Sequence, residues 1–327
     1  MKAAVYSKTK SGKLLQILDA ETPIPEESEV LVKVVAASIN PLDWRLKSRR
    51  PGVDVSGEVV AVGKSVSQFK AGDAVFGTGR GAFAEYACAA EAALISKPKE
   101  LTFEHAACVP VAGLTALQGL RDKGHLQRGQ KVLINGASGG IGTFAVQIAK
   151  SLGAEVTGVC STRNVELVRS LGADQAVDYT QEDFILSGRR YDLVLDNVGN
   201  RSLSALRRVM TPHGRCVLAG APKELWAVIL RVFRAFAWSP FLSQKFTFFV
   251  ARVKKEDLAG MCELITTGKV TPVIDKRYSL SNAAGAIAYG TRTCTREGSF
   301  KHRLNKQTRT LSPASKLPAS VAKGQFG

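Results

Sequence analysis

The sequence predicts an α/β protein in which a β-rich, barrel-like first part is followed by a doubly wound parallel sheet. Three observations carry this. Up to about residue 112 the apolar residues come in short alternating runs broken by Gly and Pro, whereas from Gly113 to about Leu218 apolar strands alternate with amphipathic helices. The tetrapeptide Ser-Leu-Gly-Ala occurs at 151–154 and again at 170–173, each time closing a helix on a glycine and opening a strand.

The elements follow in order. Alternating runs at 3–6, 30–35, 57–63 and 73–77 read as the short strands of the first part. The parallel sheet is predicted from strands at 131–135, 155–160, 175–178, 192–196 and 215–219, with a helix at 143–152 between the first two. A further helix is expected at 258–268, and extended chain at 270–280. With 327 residues there is room for two domains: 1–112, completed by about 270–289, and 113–269. Residues 290–327 form a basic tail with Ser, Thr and Pro and no apolar period, which reads as disordered.

Charge and cysteines narrow the function classes. The net charge of +17 would suggest a polyanionic partner, but the tail holds eight bases and one acid, and the remaining +10 is spread over 289 residues without a run. No nucleic-acid partner is expected, and peripheral membrane contact is left open. Six dispersed cysteines with no C-x-x-C pair, and no leader-like N-terminal segment, indicate reduced thiols and a cytoplasmic location. The most apolar window, 225–242, contains Arg231, Arg234 and Pro240; it reads as a helix packed at an interface or over a pocket, with no transmembrane segment.

The first predicted strand of the parallel sheet runs into Gly136-Ala137-Ser138-Gly139-Gly140-Ile141-Gly142 and then into the helix. Strand, glycine-rich turn and helix in this order form a dinucleotide site, because glycines let a pyrophosphate approach the main chain and the helix N-terminus offers unpaired N–H groups. The plainer reading is a tight β–α turn with no ligand. In this arrangement a carboxylate closing the second strand favours a free ribose over a 2′-phosphate. Here that strand ends Cys160-Ser161-Thr162-Arg163, with no acid, so NADPH is expected in preference to NADH. No metal site can be assembled: His105, His125, His213 and His302 are dispersed, with no zinc-ligand spacing. Hydride transfer asks mainly for alignment of two partners and exclusion of water, so the missing acid–base set is no objection.

The motifs at 38–44 (SINPLDW), 54–57 (DVSG), 81–86 (GAFAEY), 110–116 (PVAGLTA) and 136–142 resemble the zinc-free medium-chain dehydrogenases/reductases of the quinone oxidoreductase type. Within that type they are most similar to the chloroplast-envelope and reticulon-interacting mitochondrial branch, over residues 1 to about 289. The resemblance implies a GroES-like barrel joined to a Rossmann domain, a monomer or homodimer, and NADPH-dependent reduction of quinones or α,β-unsaturated carbonyls. It also implies roles for individual positions. Ser138, Gly139, Gly140, Ile141, Gly142, Ser161, Arg163 and Tyr179 would grip the phosphates and the adenosine end, with Thr115 and Asn197 at the nicotinamide ribose. Asn40, Asp43 and Trp44 would face the nicotinamide as the catalytic segment.

Two departures stand against the resemblance. Only nine residues separate Trp44 from Asp54, where relatives carry a longer loop over the substrate mouth. After Tyr289 the relatives' closing strand is missing; the codons of 294–299, read from the third base, can spell its His-Ala-Arg-Gly-Lys run, so a reading-frame change is expected, with a genuine alternative terminus as the other reading. The competing function is a cofactor-loaded scaffold with little turnover.

Overall fold

The computed structural model describes residues 1–9, 12–45, 48–219 and 243–296. Strands β1 (Lys2–Thr9) and β2 (Gly12–Asp19) form an antiparallel hairpin, bridged at Ala3 to Ala84. Beside it lies a five-stranded antiparallel sheet in the order β6-β3-β4-β5-β7, from β3 (Glu29–Ala36), β4 (Asp54–Val62), β5 (Ala74–Thr78), β6 (Tyr86–Ala90) and β7 (Leu94–Ser96). A short helix, α1 (Pro41–Arg45), sits between β3 and β4.

The second sheet is six-stranded and parallel, in the order β10-β9-β8-β11-β12-β13. Its strands are β8 (Lys131–Asn135), β9 (Glu155–Cys160), β10 (Gln175–Asp178), β11 (Tyr191–Asp196), β12 (Met210–Leu218) and β13 (Lys245–Phe248). Helices cover both faces, so successive residues on one strand enter different cores. Val132, Ile134, Leu193 and Leu195 join the core with α2 (Phe103–Ala107), α3 (Leu114–Gln118), α4 (Gly140–Ser151) and α5 (Val165–Ser170); Leu133 and Val194 join the opposite core with Phe184 and with Leu203 and Leu206 of α6 (Leu203–Arg208).

The predicted strands at 131–135, 155–160 and 175–178 coincide with β8, β9 and β10. Strand β12 begins five residues before 215, because a register shift lets Met210 pair with Tyr191 and so extends the strand through Met210-Thr211-Pro212-His213 despite their broken alternation. The helix expected at 258–268 is α7 (Lys255–Thr266), started by the acidic first turn at Glu256 and Asp257 and ended ahead of Gly268 at φ +71°. No strand forms over 270–280.

Helix α8 (Ala283–Arg296) runs seven residues into the segment expected as tail. Gly290 does not stop it, because a Cβ there would sit 3.4 Å from the Trp44 ring and 3.5 Å from Ile39: the helix is clamped against α1 at that point. Ala283 and Ile287 pack with Ala4 and Phe83, and Tyr6, Leu15, Ile17 and Trp44 surround them, so this helix closes over the N-terminal hairpin. The window at 225–242 and the tail beyond Arg296 lie outside the described residues. Among the described residues no helix is long and apolar enough to cross a membrane.

Candidate active site

The glycine-rich turn leaves β8 through Gly136, at φ +80°, a backbone angle open to glycine at little cost. The N–H groups of Gly136 and Ala137 donate to the Val159 carbonyl at 3.1 and 2.9 Å, fastening the turn to β9. Gly139 caps α4, and Gly140, Ile141 and Gly142 form its first turn, where helix N–H groups have no partner one turn back. A Cβ on Gly140 would meet nothing closer than the Ala112 methyl at 3.8 Å, so packing does not demand a glycine there.

Ser138 and Ser161 come together through a residue the sequence reading missed. The Asn164 carboxamide donates to Ser138 Oγ at 2.9 Å and to Ser161 Oγ at 3.3 Å, clasping the turn to the end of β9. Its only sequence signal is its place three residues after Ser161, in the short 3₁₀ turn Thr162–Asn164. Arg163 is exposed. Tyr179 is half-buried beside it in the fold, its N–H on the Cys160 carbonyl at 3.0 Å. Asp178 was also missed: β10 pairs it with Cys160, which brings a carboxylate to the rim where the second strand has none. That carboxylate is occupied, accepting from the N–H and Oγ of Thr180 at 2.9 and 2.8 Å.

Helix α8 reaches the same rim. The Tyr289 hydroxyl donates to Asp275 at 2.6 Å, with Lys276 stacked 4.3 Å over its ring. Its phenol is pushed up by that hydrogen bond and by burial, against the pull of Arg163.

On the opposite side of the turn, Asn197 follows β11, with its N–H on the Asn135 carbonyl at 3.2 Å. Its carboxamide nitrogen and oxygen are both buried without a hydrogen-bond partner. Buried amides are rarely left so, and each orphaned group costs about 1–3 kcal/mol. This cost disappears when a ligand with its own amide or hydroxyls docks there. Asn197→Ala should therefore leave the melting temperature unchanged or raise it, while weakening dinucleotide binding about fivefold or more in a fluorescence titration. Loss of stability with intact binding would show that Asn197 serves the fold.

The remaining predicted residues are held by the scaffold. Thr115 Oγ donates to the Val111 carbonyl at 2.6 Å. Asn40 precedes α1 and is buried; its side-chain nitrogen donates to Ser38 Oγ at 3.1 Å and to Asp54 at 2.8 Å. Asp43 accepts the N–H of Asn40 at 2.6 Å, the reciprocal contact of a helix cap, and the N–H of Gly52 at 3.1 Å. Trp44 packs against α8 in the cluster of Ala283 and Ile287. The nine-residue connection between Trp44 and Asp54 is thus tied back to α1 through Asp43. A cavity of about 450 Å³ opens beside it, lined by Leu42, Asp43, Arg50, Val53, Arg80 and Tyr86 among others. Burial pushes Asp43 up to about 6 and Asp54, which also faces the Asp43 charge, to about 7. Among the described residues no three His, Cys, Asp or Glu side chains converge as metal ligands.

The orphaned carboxamide and the open Gly140 cradle both fit a nicotinamide dinucleotide. Comparison with known proteins agrees with the geometry. Residues 26–99 match the alcohol dehydrogenase GroES-like domain, and 171–292 match the zinc-binding dehydrogenase family. The chain is 36% identical to the chloroplast envelope quinone oxidoreductase homolog of Arabidopsis thaliana, over 84% of this chain and 89% of that protein. It is 33% identical to the NADPH-dependent alkenal/one oxidoreductase, chloroplastic, of the same plant, over 88% and 76%. The structure of the quinone oxidoreductase from Coxiella burnetii superposes with a TM-score of 0.79 at 29% identity, over 90% of this chain and 96% of that one. With its GroES-like first part, its parallel dinucleotide sheet and these relatives, the chain belongs to the medium-chain dehydrogenases/reductases of the quinone oxidoreductase type, oxidoreductases that work with a nicotinamide cofactor.

Proposed function

We propose that the chain transfers hydride from NADPH to a quinone or an α,β-unsaturated carbonyl, without a metal. The observation that carries the cofactor choice is the end of β9, where Ser161, Thr162 and the exposed Arg163 stand with no acid closing the strand and with Asp178 engaged by Thr180. Two hydroxyls and a two-pronged cation suit a phosphate dianion. The first turn of α4 holds the pyrophosphate on backbone N–H groups, Ser138 and Tyr179 line the adenosine end, and the Asn197 carboxamide with Thr115 orients the nicotinamide ribose. The bound reduced nicotinamide supplies the hydride. The protein's part is alignment and exclusion of water, which needs no converging ligand set. The names of the Arabidopsis relatives speak for quinone and alkenal or enone acceptors.

NADPH oxidation with 1,4-benzoquinone and with a simple enone tests the reaction, before and after chelator treatment. Zinc-restored turnover would overturn the metal-free reading, and no turnover with either acceptor would favour a scaffold. For the cofactor, Arg163→Ala should weaken NADPH about tenfold or more and barely touch NADH, since one charge-assisted contact contributes roughly 1.5–3 kcal/mol. Equal losses for both nucleotides would show that Arg163 does not read the 2′-phosphate.

A further inference from the structure

We propose that Asp54 is a positioning residue of the cleft: its one carboxylate locks the turn carrying Asn40 to the turn carrying Val111, to which Thr115 is bonded, and so sets the nicotinamide-side wall against the dinucleotide turn. The inference rests on the cofactor reading above.

Asp54 is the first residue of β4 and is completely buried. One carboxylate oxygen accepts from Ser38 Oγ at 2.6 Å and Asn40 Nδ2 at 2.8 Å; the other accepts from the Val111 N–H at 3.1 Å. Val111 lies in the π-helical turn Val109–Gly113, and its own carbonyl is taken by Thr115 Oγ. Its neighbour Ala112 is the residue that stands 3.8 Å from the Cβ position of Gly140. A short path thus joins the Asn40 turn, Asp54, Val111, Ala112 and the first turn of α4.

The other buried acids have different partners. Glu29 meets Arg80 at 2.6 Å, Asp257 meets Arg121 at 2.6 Å, and Asp196 accepts Asn135 Nδ2 at 2.8 Å. Asp54 has no salt bridge among the described residues, and the titratable groups facing it are Asp43 on α1 and Cys108 at the end of α2 (Phe103–Ala107). A bare charge in that place is costly unless its acceptor capacity is needed. It is used here, because all three partners donate to it and the Val111 N–H can do nothing else. An asparagine would turn an NH₂ toward either the Val111 N–H or the Asn40 amide, and one wall would be released. Ser38 can reverse its hydrogen bond in place, whereas Asn40 can follow only by flipping its carboxamide and giving up its bond to Ser38 Oγ. Burial opposes the charged form and moves ionisation of this carboxyl up to near neutral pH, which makes the lock sensitive to pH and gives the test a signature.

The test uses the full chain and NADPH, in wild type, Asp54→Asn and Ser38→Ala. The fluorescence anisotropy of bound NADPH reads nicotinamide positioning with no acceptor present, so it is separate from the test of the reaction. Asp54→Asn should keep NADPH affinity within about threefold, lower the anisotropy of the bound nicotinamide, and reduce kcat with 1,4-benzoquinone about tenfold, as expected when reacting groups lose alignment. The wild-type anisotropy and kcat should show an inflection near neutral pH that is absent in Asp54→Asn. Ser38→Ala removes a hydrogen bond to the ionised form and should move that inflection to higher pH with the melting temperature retained; this variant keeps the proposal testable if Asp54→Asn does not fold. An Asp54→Asn protein with unchanged anisotropy and pH profile overturns the proposal. So does a loss of kcat that follows lost affinity and melting temperature in parallel, or an inflection that Ser38→Ala leaves in place.

Discussion

Gly142→Ala should lower the melting temperature by about 10 °C, whereas Gly140→Ala, two residues away, should leave it within a degree or two and instead cut NADPH affinity at least about tenfold. At 142 an added Cβ would lie 2.1 Å from the Gly136 carbonyl oxygen and 2.7 Å from the Ala137 backbone. Neither can yield, since both residues are hydrogen-bonded to Val159. Overpacking of this kind costs about 3 kcal/mol, and a chain with domains of this size loses about 2–4 °C for each. At 140 the nearest atom is 3.8 Å away, an ordinary contact, so the methyl is harmless to the fold but stands where a pyrophosphate meets the main chain. Thermal melts and nucleotide titrations on the two variants separate the effects. Wild-type affinity in Gly140→Ala would remove the dinucleotide turn from the site.

A second large effect is on stability against pH. Asp43 and Asp54 are held above their ordinary values, up to about 6 and about 7, chiefly by burial. The folded state therefore binds protons more tightly than the unfolded chain does. Unfolding releases protons between about pH 4 and pH 7, so stability falls as pH rises through that window and is level above it. At about 1.4 kcal/mol per pH unit, the two together account for a few kcal/mol. Denaturant midpoints at about pH 5 and about pH 8 check this, and Asp54→Asn should flatten the upper part of the curve. A midpoint that rises with pH would show that the two carboxylates are satisfied rather than strained.

Much of the parallel sheet was legible because strands buried on both faces are short apolar runs and the turns between them are marked by glycine. The strand, turn and helix around 136–142 were legible for the same reason: the conformation of the turn is written locally in its glycines. What was not legible depends on residues far apart. Asp54 reaches Val111 only through packing, Asp178 joins the rim through its register with Cys160, and Asn164 acts on a serine one β–α unit away. Asn40 and Asp43 were read as groups facing a cofactor; the bonds their polar atoms make to the cap of α1, Ser38, Asp54 and Gly52 could not be read from the sequence. Helix α8 outran its expected end because tertiary contact with Trp44 overrides the glycine and threonines that weaken it.

The clamp of α8 on the N-terminal hairpin has a kinetic consequence. Ala4 and Phe83 cannot meet Ala283 and Ile287 until nearly the whole described chain has left the ribosome. The parallel sheet, whose strands are consecutive apart from one crossover, can assemble before that. Contacts across such sequence separations carry the largest loop-closure entropy, so sealing the first unit should be the late, slow step of folding. A newly made chain would pass through an interval with its second sheet formed and its hairpin still uncovered, and in that interval it would be most exposed to aggregation and to capture by chaperones.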